Sequence, residues 1–138
     1  MTEVDLAKIM AIPASGMQVQ AERLKIIAQN IANADSTSSV PGGEPYRRKT
    51  ITFSEIFDHE LNATKVAVSE IDLDASPFKK IFEPNHPAAD GQGYVLYPNV
   101  TTMVESLDSD EAQRSYEANI RAIEVIKEML SATLALIE

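Results

Sequence analysis

Met10, Met17, Leu24 and Ile31 recur at seven-residue intervals, and Ala14, Ala21, Ala28 and Ile27 fill the adjoining helical row. That periodicity predicts an amphipathic helix with a narrow apolar stripe. Two signals compete for its start. Pro13 cannot sit inside a helix without loss of a hydrogen bond, whereas Ser15 with Gln18 three residues later makes a capping box. The main helix is therefore expected from near Ser15, with Leu6, Ile9 and Met10 in a short helical lead-in. In "IAQNIANADSTSS" (27–39) the apolar period ends after Ile31, Asn33 suits a left-handed cap, and residues 35–39 bond locally to their own backbone. Pro41, Gly42, Gly43 and Pro45 then mark a loop.

From 46 to 98 the period changes. "YRRKTITF" alternates, and Val66, Val68, Ile71 and Leu73 lie near a two-residue spacing, so strands are expected; "EPNHPAADGQGY" is rich in turn formers. The region reads as a small irregular β insert without the bulk for a large core. A second helix follows, with Thr102 and Glu105 as a capping box. Tyr116, Ile123, Leu130 and Ile137 step by seven along it, with Ile120, Ile126 and Leu134 beside them; "DSDEAQRS" interrupts the stripe, so the helix has an exposed middle turn or restarts near Ser109. The expected organisation is a helical segment over 1–35, a loop and small β region over 36–98, and a helix over 99–138. The fold class is α+β, with the two long helices paired as an antiparallel coiled-coil-like layer.

Two helices alone would bury such stripes only partly, and the proline-rich insert is a poor partner for them. Other copies or other chains are better candidates, and the small row of Ala14, Gly16, Ala21, Ala28 and Ala32 permits close approach. Composition narrows the partners. A chain of 138 residues with 21 acidic and 12 basic residues carries a net charge of −9, which repels phosphate backbones and removes nucleic acid from consideration. There is no Cys, hence no thiol catalysis or thiolate metal site. Glu3 and Asp5 stand where a secretory signal needs positive charge, and no apolar run approaches the roughly 20 residues that span a bilayer. No cleaved signal and no membrane insertion are expected.

Candidate chemistry is sparse. His59 and His86 read as surface turn residues, so neither metal nor other cofactor is expected. "DSDE" (108–111) and "DLD" (72–74) lack the central Gly and terminal Glu of a calcium loop and read as solvated acids. "PGGEP" lacks the Lys of a phosphate loop. Arg47, Arg48 and Lys49 suit either an acidic neighbouring subunit or a solvated strand face. With no nucleophile and base placed by motif, an enzyme is the weakest reading.

"SGMQVQAERLKIIAQNIANADSTS" (15–38) closely resembles the N-terminal signature of bacterial flagellar axial proteins, the rod and hook superfamily. "PYRRKTITF" (45–53), "FEPNHPAADGQGYVLYPNV" (82–100) and "RSYEANI" (114–120) are similar to the proximal rod proteins within it. The resemblance covers nearly the whole chain in order. It implies a structural subunit of the basal-body rod, exported by the flagellar type III apparatus and assembled in the periplasm. Implied partners are other rod proteins, further copies of itself, and membrane-ring and export-gate adaptor proteins. Terminal helices pair in the innermost tubular layer of such proteins.

By that resemblance Ser15, Gly16, Met17, Gln20, Arg23, Leu24, Asn30, Ile31 and Asn33 belong to the packing face of the first helix, and Arg114, Ser115, Tyr116, Glu117 and Asn119 to that of the second. The apolar rows add Ile27, Ile123, Ile126, Leu130 and Leu134. Asn30 and Asn33, three residues apart, are expected to bond across a subunit border and set register. Pro13 and "DSDE" depart from the family pattern. The alternative is an acidic helical secretion chaperone or adaptor, which would fold as a stable dimer, whereas a rod subunit would keep loosely ordered ends until assembled.

Overall fold

The computed structural model describes residues 3–137. Helix α1 (Glu3–Ala32) leads to strands β1 (Lys49–Asp58), β2 (Ala63–Leu73), β3 (Lys79–Phe82) and β4 (Tyr94–Tyr97), and helix α2 (Thr102–Ile137) follows. The architecture is α+β, two long helices with a small β insert between them in sequence. β1 and β2 form one two-stranded sheet, and β3 and β4 a second. β3 and β4 are antiparallel, with Lys79 opposite Tyr97 and Phe82 opposite Tyr94. Among the described residues no helix is long and apolar enough to cross a membrane.

The chain divides into two compact units. One joins residues up to Leu24, the segment Thr52–Glu70 and residues from Asp110 onward; the other comprises Lys25–Ile51 and Ile71–Ser109. In the first, Val19, Ala63 and Ala112 are buried. In the second, Ile26 and Ile27 of α1 share the core with Ala88, Val95 and Val100. The β insert thus supplies core where the sequence suggested little, because β4 and the segments on either side of it contribute the buried apolar side chains of Ala88, Val95 and Val100. The loop between β3 and β4 is held by Asp90, whose carboxylate accepts the backbone N–H groups of Gln92 and Tyr94 at 2.8 and 3.0 Å. Gly93 has φ +87°, a conformation that favours glycine.

The helix boundaries differ from expectation in three places. α1 runs through Pro13 instead of starting at Ser15. The buried Pro13 forgoes one helical bond, and Ser15 acts inside the helix: its hydroxyl donates to the Ile12 carbonyl at 2.7 Å and accepts the Val66 N–H at 3.2 Å. Asn33 is not left-handed, since Asn62 is the one non-glycine residue with positive φ among those described. Its N–H continues to the Gln29 carbonyl at 3.1 Å, and its side-chain amide donates to the same oxygen at 2.9 Å. α1 therefore ends through side-chain competition for its last carbonyls, with Ser36 bonded back to Asn33. α2 is continuous through "DSDEAQRS", the first of the two alternatives, with Asp110, Glu111, Gln113 and Arg114 exposed and Ala112 fully buried; the departure lies at its cap. Its first bond runs from the Glu105 N–H to the Thr101 carbonyl, which shifts the cap one residue before Thr102 and leaves the Glu105 side chain for another task.

Candidate subunit-packing surface

Within the first unit the helices meet with opposed polarity. Arg23 approaches Glu111 at 3.4 Å, Gly16 faces Asn119, and Leu6 and Ile9 line an apolar groove with Ile126, Met129 and Leu130. A Cβ on Gly16 would lie 2.7 Å from the Asn119 Nδ2, which is why the smallest residue stands there. Asn119 is turned by its own bond to the Ser115 carbonyl at 3.0 Å. The "SG" of the signature thereby has two local roles: Ser15 caps a strand N–H and Gly16 admits the second helix.

The contact face of α1 is thus the row of Ile9, Gly16 and Arg23, and it differs from the heptad row read from the sequence. Met10, Met17 and Leu24 are only half-buried, and Ala7, Ala14 and Ala21 are exposed. Ile31, in the second unit, is 39% exposed. Along α2, Tyr116, Ile120, Ile123, Ile126 and Leu130 are half-buried and Leu134 is 53% exposed. Arg114 is exposed, and Gln20 is half-buried with an amide oxygen that has no protein partner.

Asn30 lies elsewhere in kind. It is 1% exposed, and its amide is fully used. The oxygen accepts the Tyr46 hydroxyl at 2.8 Å and the Lys49 N–H at 2.9 Å; the nitrogen donates to the Lys49 carbonyl at 2.9 Å and to Glu105 Oε2 at 3.4 Å. A side-chain amide has two donors and two acceptor sites, so nothing is left for a neighbour. Asn30 clamps its own chain, where a bond across a subunit border was expected.

Glu105 completes the clamp. Its carboxylate, also 1% exposed, receives Arg48 Nε on the other oxygen, and Arg48 reaches Asp74 at 3.2 Å and Asp108 at 3.8 Å. Burial works against the Arg48 charge, but its bonds and charge pairing with Glu105 and Asp74 outweigh burial and raise its pKa. Asp74 is held below the ordinary carboxylate value, first by the Ser76 N–H and hydroxyl and then by Arg48. Burial, followed by the charge of Glu105, raises the Tyr46 hydroxyl.

The basic run is likewise spent internally. Arg47 donates to the Asp74 and Ser76 carbonyls and lies 4.1 Å from the Phe78 ring, and Lys49 reaches Gln29 at 3.1 Å. Three of the acids read as solvated are paired instead: Asp74 and Asp108 face Arg48, and Glu111 faces Arg23. The sequence offered no motif for this clamp, because its members are scattered over 75 positions between Asn30 and Glu105.

Among the described residues no group of three or more His, Cys, Asp or Glu is placed to hold a metal ion. What the geometry offers is two long helices with apolar rows partly open to solvent. Residues 10–38 match the Flagella basal body rod protein family, and residues 92–136 match the Flagellar basal body rod FlgEFG protein C-terminal family. The Flagellar basal-body rod protein FlgC of Agrobacterium fabrum is 41% identical over 133 residues, covering 96% of both chains.

The chain belongs to the FlgC family of flagellar basal-body rod proteins. FlgC of Escherichia coli O6:H1 is 37% identical over 95% of this chain and 97% of its own. FlgC of Aquifex aeolicus is 36% identical over 94% and 96%. This FlgC-family chain is a structural subunit of the basal-body rod, and neither matched family is one of secretion chaperones, so that alternative is set aside. The two matches cover most of α1 and α2, and the second takes in β4 as well.

Proposed function

We propose that this chain polymerises in the proximal rod through its terminal helices, forming part of a drive shaft with a central export channel. Export-gate and membrane-ring adaptor proteins adjoin it, and further copies and other rod proteins cover its helices. It reaches the periplasm through the flagellar type III apparatus. The packing residues are the open or half-open ones: Met17, Leu24 and Ile31 on α1, and Tyr116, Ile123, Ile126, Leu130 and Leu134 on α2. The single observation that supports this reading is that seven-spaced apolar rows on both helices remain half-buried or exposed in the isolated chain. Full burial of an exposed large apolar side chain is worth about 1.5–3 kcal/mol, and covering subunits would recover the share of it that the half-buried and exposed members still forgo.

Replacing the gene with one that ends before α2's last turns tests the role. Basal bodies isolated from that strain should show membrane rings without a rod beyond them in electron micrographs. Complete rods built around the shortened chain would refute it.

A further inference from the structure

Two Asn-x-Thr sequences occur in the chain, Asn62-Ala63-Thr64 and Asn99-Val100-Thr101, and no other asparagine has Ser or Thr two residues on. The pattern is the acceptor for an N-linked oligosaccharide. The fold treats the two in opposite ways. Asn99 is half-buried and its amide is spent. The oxygen accepts the Arg48 N–H at 2.8 Å, and the nitrogen donates to the Asp74 and Ser76 carbonyls and the Ser76 hydroxyl, each at 3.1 Å. Val100 beside it is 2% exposed. Asn62 instead ends the turn between β1 and β2, which Asp58 holds: one carboxylate oxygen accepts the Glu60 N–H at 3.0 Å and the Leu61 N–H at 3.2 Å, while the other meets Lys65 at 2.8 Å. Asn62 has φ +51°, a left-handed conformation that asparagine tolerates better than most residues. Alternation then turns Ala63 into the core and leaves Asn62 and Thr64 exposed on either side of it. Among the described residues, nothing hydrogen-bonds the Asn62 amide or the Thr64 hydroxyl.

We propose that Asn62 is an attachment site for an N-linked oligosaccharide and that Asn99 is not, an inference that rests on the periplasmic placement proposed above. Transfer forms a bond between Asn62 Nδ2 and the anomeric carbon of the first sugar, and breaks that carbon's bond to oxygen in a polyprenyl-pyrophosphate-linked oligosaccharide. The amide proton passes to a carboxylate of a periplasmic oligosaccharyltransferase, and polyprenyl pyrophosphate leaves. Such an enzyme must seat the amide and the hydroxyl two residues on at the same time, and the exposed pair of Asn62 and Thr64 permits that in the folded chain. Glu60 stands two residues before Asn62, the acidic position that bacterial transferases of this class read, whereas Tyr97 stands at that place before Asn99. Modification of the free Asn62 amide gives up no hydrogen bond and directs the sugar into solvent. At Asn99 a sugar would replace one donor N–H and displace Ser76, a loss of buried polar pairing that the folded chain resists.

Basal bodies isolated from the native host are digested, and the peptides that contain Asn62 and Asn99 are weighed by mass spectrometry. The Asn62 peptide should carry the added mass of an oligosaccharide, and the Asn99 peptide should carry none. Asn62→Asp and Thr64→Val, which keeps the β-branched shape, should both abolish the addition. Thr64→Ser should retain it, and Glu60→Gln should lose most of it. Complete rods whose Asn62 is unmodified, or only deamidated, would overturn the inference and leave the rod role standing. The unaltered, folded chain is also incubated with a bacterial oligosaccharyltransferase and its lipid-linked oligosaccharide, an arm that depends on no variant and no host. Sugar should appear at Asn62 alone; no transfer, or transfer to Asn99 at equal yield, would overturn the selection argued from the two amides.

Discussion

Asn30→Asp is the sharpest perturbation of the clamp, because it changes one atom group and almost no volume. The new oxygen would face the Lys49 carbonyl at 2.9 Å and Glu105 Oε2 at 3.4 Å, replacing two donated bonds with two repulsions. The other oxygen keeps its bonds from Tyr46 and the Lys49 N–H. Each lost bond is worth about 0.5–1.5 kcal/mol net, and an additional buried charge against Glu105 raises the cost further. Asn30→Ala loses all four bonds but adds no charge, for about 2–6 kcal/mol. The aspartate should therefore destabilise at least as much as the alanine, although it retains half the bonds. Urea unfolding followed by far-ultraviolet circular dichroism, with hydrogen exchange over residues 26–32 and 46–50, measures both. Native stability in Asn30→Asp at neutral pH, or a loss clearly smaller than in Asn30→Ala, would show that the amide's donor side does not hold the unit together.

Gly16→Ala should be close to neutral: about 1 kcal/mol of helix propensity is gained while Asn119 is displaced. Combined with Asn119→Ala, the gain should appear in full, and thermal melts of the four-member cycle check it. Val125→Lys lies on an exposed position, so stability should change by about 0.5 kcal/mol or less, whereas motility on soft agar should fall sharply. Asp74 has a lowered folded pKa, so its contribution is present above the unfolded carboxylate value, about 3.9, and is lost as pH falls through the folded one. Asp74→Asn should accordingly lower stability at neutral pH and flatten the decline below about pH 4, read from unfolding curves at a series of pH values.

The helices and the strands β1 and β2 were legible in the sequence because their periodicities are strong, although the pairing of the strands was not. Met10, Met17 and Leu24 marked α1, Val66 and Val68 marked β2, and turn formers marked the loop before β4. What periodicity does not carry is which row faces inward. The α1 heptad row is the open one, and the contact row contains Gly16 and Arg23, residues no hydrophobic count selects. Pro13 misled the helix start because propensity was set against tertiary burial, and burial prevailed. β3 was overlooked since Lys79, Lys80, Ile81 and Phe82 are all exposed and show no inside-outside alternation. The clamp was invisible for a further reason: its bonds join Asn30, Tyr46, Arg48, Lys49, Asp74 and Glu105 across long sequence separations, and only the fold brings them together.

The account stands on terminal helices that are incompletely covered in a single chain and become covered in the rod. Hydrogen exchange on the dilute chain and on isolated basal bodies compares the two states directly. Residues 7–24 and 112–136 should exchange fast in the dilute chain and slowly in the rod, while residues 26–32 and 94–100 are protected in both. Equal, strong protection of the two helical stretches in the dilute chain would contradict it.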